Sequence, residues 1–78
     1  MVMKKEAPYP SQAEVYSLRR RFPKGMRVKL VQMDDPQAPP AGTLGTVRSV
    51  DDIGTVFVAW DNGCGLGVAY GCDICVPV

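Results

Sequence analysis

Histidine is absent from the 78 residues, and tryptophan occurs once. The first absence removes the commonest general base near neutral pH. Ser11, Ser17 and Ser49 have no sequence neighbour that would activate a hydroxyl. Aromatics make up only 8% of the chain, too few for the interleaved stacking platform of a single-strand nucleic-acid binder. Cysteines number three, and an odd count fits poorly with a secreted disulfide framework. Cys64, Cys72 and Cys75 stand as C-x7-C-x2-C. That spacing lacks the two well-separated ligand pairs of structural zinc, with no histidine to serve as fourth ligand. No apolar run approaches the ~20 residues that span a bilayer. Lys4, Lys5 and Glu6 lead into Ala-Pro-Tyr-Pro rather than the apolar centre of a signal peptide. These absences predict a cytoplasmic, non-enzymatic protein with no cofactor, no bound metal and no membrane segment.

What is present is punctuation and alternation. Eight glycines and seven prolines point to many tight turns rather than long helices. Residues 1–10 read as a flexible lead-in and residues 11–78 as one small domain. "SQAE" at 11–14 is a capping box. Val15, Leu18 and Phe22 follow at helical spacing, and Arg19, Arg20 and Arg21 suit the negative end of a helix over 11–22. Pro23 and Gly25 stop it.

From residue 26 the apolar period drops to two. The spacing predicts strands over 27–32, 45–50, 55–60, 66–70 and 73–78. Val28 and Leu30 face inward in the first, and Val47 and Val50 in the second across a bulge. Val56, Val58 and Trp60 share the inner face of the third, which leaves Phe57 outside. Leu66, Val68 and Tyr70 share one face of the fourth. Asp51-Asp52-Ile53-Gly54 and Asp61-Asn62-Gly63 read as hairpin turns, the latter as a two-residue turn at positive φ. The long loop 33–43 carries three prolines. Five short strands bury their apolar faces best by curling, so the expected fold is mainly β: a small five-stranded SH3-like barrel with one N-terminal α-helix.

"PSQAEVYSLRRRFPKGMRVKLVQMDD", "PAGTLGTVRSVDDIGTVFVAWDNG" and "LGVAYGCD" together resemble the bacterial family called domain of unknown function 4314. The resemblance runs from about Pro10 to Ile74. It implies a small SH3-like protein of bacteria, phages or mobile elements, with no catalytic residue to carry over. At positions 64, 72 and 75 the chain departs from the residues used in that family.

Two binding surfaces compete. The first is a protein contact centred on Phe57 and the surface around the 33–43 loop, including Asp34 and Asp35, with Trp60 as core support. The paired acids Asp34–Asp35 and Asp51–Asp52 otherwise read as turn chemistry. The second is a nucleic-acid surface built from Arg19, Arg20, Arg21, Lys24, Arg27 and Lys29. It is suggested by charge asymmetry. Residues 1–30 hold eight Lys/Arg against two Glu, and residues 31–78 one Arg against six Asp; the halves are +6 and −5 within a net +1. The same asymmetry would let the halves neutralise each other on folding. The expected partner is a protein, with nucleic acid as the alternative, and the chain a monomer or weak homodimer.

Overall fold

Ser11 starts the helix as its sequence predicts. In the computed structural model, which describes residues 9–78, the Ser11 hydroxyl accepts from the Glu14 N–H at 3.1 Å. The Ser11 N–H donates to the Glu14 carboxylate at 2.8 Å. This box opens α1 (Gln12–Arg21), which ends on Phe22, whose N–H still donates to the Leu18 carbonyl. Val15 is buried along the helix, and Phe22 enters the core. Of the lead-in expected over residues 1–10, residues 1–8 lie outside the described residues.

Four strands follow: β1 (Arg27–Gln32), β2 (Leu44–Val50), β3 (Val56–Trp60) and β4 (Ile74–Pro77). They form one antiparallel sheet in the order β3-β2-β1-β4, and α1 packs on β2. Alternation sends Val28, Leu30, Val47, Val56, Val58 and Trp60 to the inner face, where each is at most 3% exposed. Burying one such side chain contributes about 1.5–3 kcal/mol, and a core this thin needs them all. Pro77 lies at the sheet's edge. Because the Val78 N–H bonds back to Arg27, position 77 faces away from β1, where a missing N–H costs no rung.

Both hairpin turns use one device. Gly54 (φ +83°) donates to the Asp51 carbonyl while the Asp51 N–H bonds Thr55. Gly63 (φ +90°) donates to the Trp60 carbonyl while the Trp60 N–H bonds Cys64. These are three-residue loops closed by a left-handed glycine, not the two-residue turn expected at Asp61–Gly63. The Asp51 carboxylate accepts from the Ile53 and Thr55 N–H groups, and Asn62 accepts from Cys64. The second strand carries its expected bulge: Val47 pairs with Val58 and Ser49 with Phe57, so the register slips across Arg48.

The expected five-stranded barrel is where sequence and structure part. Residues 66–70 form no strand, and the sheet stays open with four. The segment nevertheless runs in register beside β3. Val56 and Val68 exchange both main-chain hydrogen bonds, at 3.0 and 2.8 Å, and the Trp60 N–H bonds the Cys64 carbonyl at 3.0 Å. The rung between them, Val58 opposite Leu66, is missing. The Leu66 carbonyl instead accepts the Trp60 indole N–H at 2.9 Å. A side chain has taken the acceptor that a strand would need.

Candidate functional site

Of the six cations expected to form one basic face, Arg19 and Arg27 are engaged in ion pairs. Arg19 is spent on the β2–β3 turn, reaching the Val50 carbonyl at 3.2 Å and the Asp52 carboxylate at 2.8 Å. Arg27 grips Asp61 through two hydrogen bonds, 2.9 and 2.6 Å, and also donates to the Thr46 hydroxyl. The hydrogen bond from Arg27 holds the Asp61 carboxyl below its ordinary value, and Asp61 raises Arg27 in return. Arg20 lies over the Tyr16 ring and Arg21 over the Phe22 ring. Lys24 and Lys29 are exposed and enter no ion pair among the described residues. Residues 9–78 carry seven Lys/Arg and seven Asp/Glu, so the charge asymmetry of the sequence cancels across the fold.

Asp34 and Asp35 serve the loop that holds them. Asp35 accepts from Gln37 through its carboxylate and from Ala38 through its carbonyl. The Asp34 N–H donates to Asp73, whose other carboxylate oxygen accepts from the Ala69 N–H. Phe57 sits elsewhere, on the outer face of β3 and 38% exposed.

Around Phe57 a different site assembles. Two shallow depressions meet on the outer face of β2 and β3, sharing Arg48, Ser49 and Ala59. The larger, about 530 Å³, runs from those residues past Phe57 to the edge gap bounded by Val58 and Cys64. The smaller, about 430 Å³, continues to Lys24 and Thr46. No carboxylate lines either one. The bulge explains Arg48: an extra residue on β2 opposite Phe57 re-aims a cation onto this surface.

Val47, the partner of Val58 on β2, sends its N–H to Met26 and accepts at its carbonyl from Gly25, so Val47 and Val58 form a non-hydrogen-bonded pair. The Val58 N–H and C=O thus face residues 64–68, and with Val58 1% exposed that gap is covered by the chain itself. Gly67 keeps the channel narrow. A Cβ there would stand 2.6 Å from Thr55 Cγ2 and 3.3 Å from the Phe57 ring, so the bare backbone lies against Phe57.

Sequence reasoning placed Phe57 outside but missed Arg48. The inward residues Val47 and Val50 are three apart rather than two, which marks the bulge and could have drawn attention to Arg48. Nothing in sequence shows that Trp60 would capture Leu66.

Elsewhere the helix ties to the loop after Gly67, because the Tyr70 hydroxyl donates to Glu14 at 2.8 Å. The Ser11 N–H, then Tyr70, hold Glu14 below its ordinary value, while Glu14 raises Tyr70. The cysteines are not disulfide-linked: Cys64 is half-buried, Cys72 exposed and Cys75 buried. Burial pushes the Cys75 thiol up, against a smaller opposing effect of Arg21, which suits packing rather than nucleophilic attack. Among the described residues no three His, Cys, Asp or Glu side chains gather as metal ligands. No described helix is long and apolar enough to cross a membrane.

No curated protein and no solved structure matches the chain. The family model described as domain of unknown function (DUF4314) matches residues 11–78, from the helix cap through β4, and the chain belongs to that family.

Proposed function

We propose that the protein is a non-enzymatic binding module that docks a protein partner on the outer face of β2 and β3, with Phe57 as its apolar anchor. The observation that carries this reading is the exposed Phe57 ring, which stands beside Arg48 in a depression that no carboxylate lines. The antiparallel order, with 64–68 laid along β3, also supports kinship with SH3-like barrels in which this segment completes the sheet.

Nucleic acid is the weaker reading. Arg19 and Arg27 are already engaged, the described residues balance in charge, and of the two aromatics lining this surface, Phe57 and Trp60, Trp60 is buried. Binding through phosphates needs several unpaired cations in one track.

The test is affinity purification from nuclease-treated host extract with the native chain and with Phe57→Ser, both verified as folded. A protein retained by the native chain and lost with Phe57→Ser is the expected result. Equal retention by both, or retention only of material that nuclease removes, would contradict it.

A further inference from the structure

We propose that two copies of the chain associate through the outer face of β1 and β4. The two-fold axis runs across the strands at Val31 and Ile74, and Lys29 of each copy meets Asp34 of the other. The contact lies apart from the Phe57 depression, because β3 and β4 are opposite edges of the sheet.

Strand register assembles this face. Lys29 stands opposite Leu44 on β2 and Val76 on β4, and directly paired residues send their side chains to the same side. A bulge between Leu30 and Gln32 then seats Val31 beside Ile74. Val28, Leu30 and Cys75 take the inner side and are buried. Val31, Leu44, Ile74 and Val76 take the outer side and are 37–48% exposed. Aliphatic side chains gathered on one open face mark a contact surface.

Charge identifies the occupant. Lys29, in the midst of those aliphatic groups, is exposed and enters no ion pair among the described residues. Asp61, whose N–H reaches the Leu44 carbonyl, is held by Arg27 and does not answer it. Asp34 is exposed and likewise enters no ion pair among the described residues. Its N–H donates to the Asp73 carboxylate at 2.9 Å, which ties it to the residue before Ile74. The Val31–Ile74 pair therefore lies between a cation and an anion. At a strand's rise, Lys29 is about 7 Å from Val31 on one side and Asp34 at most about 10 Å from it on the other.

A two-fold contact uses one patch on both copies, so residue i meets j while j meets i. Rotation about the Val31–Ile74 axis packs the aliphatic groups of the two faces together and reverses the strand direction. Each Lys29 then arrives at the Asp34 of the other copy. A partner of one charge sign would satisfy one end of the face and repel the other; a second copy satisfies both.

The test is sedimentation equilibrium of the full chain from about 10 µM to about 1 mM, the weak range suited to a small contact. Reductant is present because Cys72 is exposed. The expected result is a reversible monomer–dimer equilibrium. Lys29→Asp and Asp34→Lys, each verified as folded, weaken it about five- to thirtyfold, since symmetry turns two exposed ion pairs into two repulsions. An equimolar mixture of these two variants, and the chain carrying both changes, recover the native affinity within about twofold. A monomer at every concentration, single reversals without effect, a mixture that fails to recover, or growth into larger assemblies would each overturn the inference. Dimerisation and Phe57-dependent retention of a partner are read separately, so either can fail while the other stands.

Discussion

Trp60→Phe isolates the contact that replaces the missing rung between Val58 and Leu66. The indole N–H bonds the Leu66 carbonyl at 2.9 Å, and Trp60 is 3% exposed. Phenylalanine keeps an aromatic ring in the core but removes that donor. Losing one intramolecular hydrogen bond costs about 1 kcal/mol. The smaller ring leaves a cavity of roughly 40 Å³, or about 1 kcal/mol at ~24 cal/mol per Å³. The freed Leu66 carbonyl is then available to the Val58 N–H, which sits opposite it in the ladder and would recover part of the loss. The expected net destabilisation is therefore about 1–2 kcal/mol, against about 4–12 kcal/mol for a chain of this length. Urea unfolding reads it as a midpoint lowered by about 1–2 M, at roughly 1 kcal/mol per M. Amide exchange in the variant reads the second effect, as protection gained at Val58. A midpoint unchanged within about 0.5 kcal/mol, with Val58 still unprotected, would refute the claim that the indole holds the rung open.

Gly67→Ala forces a Cβ against Thr55 and the Phe57 ring. It should cost about 1–3 kcal/mol as overpacking does and displace the Phe57 ring resonances; an unchanged melting midpoint would contradict the close approach. Cys75→Ser puts a hydroxyl into the core and should cost about 1–3 kcal/mol, whereas Cys72→Ser at the exposed position should stay within about 0.5 kcal/mol. Equal midpoints for the two would place Cys75 outside the core. Glu14 and Asp61 both have lowered folded-state values, so their contribution is present above the unfolded carboxylate range and lost as pH falls below about 4. Urea midpoints that decline from pH 5 to 3 in the parent should decline less in Glu14→Gln/Asp61→Asn. Parallel declines would remove these two carboxylates as the cause.

Local rules carried well from residues to structure. The capping box, the helix stop at Phe22–Pro23, the inward set on β1 to β3 and the bulge between Val47 and Val50 all follow from spacing and side-chain chemistry. They form where the sequence places them. The fifth strand did not, although Leu66, Val68 and Tyr70 alternate correctly. Alternation reports which face a side chain prefers; it does not report which acceptor a buried indole will choose. Trp60 lies on the inner face beside Leu66, and satisfying its N–H outweighs one main-chain rung. Two cations of the expected basic surface are taken up for a related reason. Arg19, Arg20, Arg21, Lys24, Arg27 and Lys29 are close in sequence, but Asp52 and Asp61 arrive from turns more than thirty residues away and occupy two of them. Phe57 was legible as an outward aromatic. Its companion on the surface, Arg48, depends on pairing across β2 and β3 that only the fold reveals.

Amide exchange along β3 of the native chain tests the open four-stranded sheet most directly. Val56 and Trp60, whose N–H groups bond Val68 and Cys64, should exchange slowly, while Val58 between them, whose rung to Leu66 is missing, exchanges faster. Protection at Val58 equal to that of its two neighbours would mean that the ladder is closed and that residues 64–68 form a fifth strand.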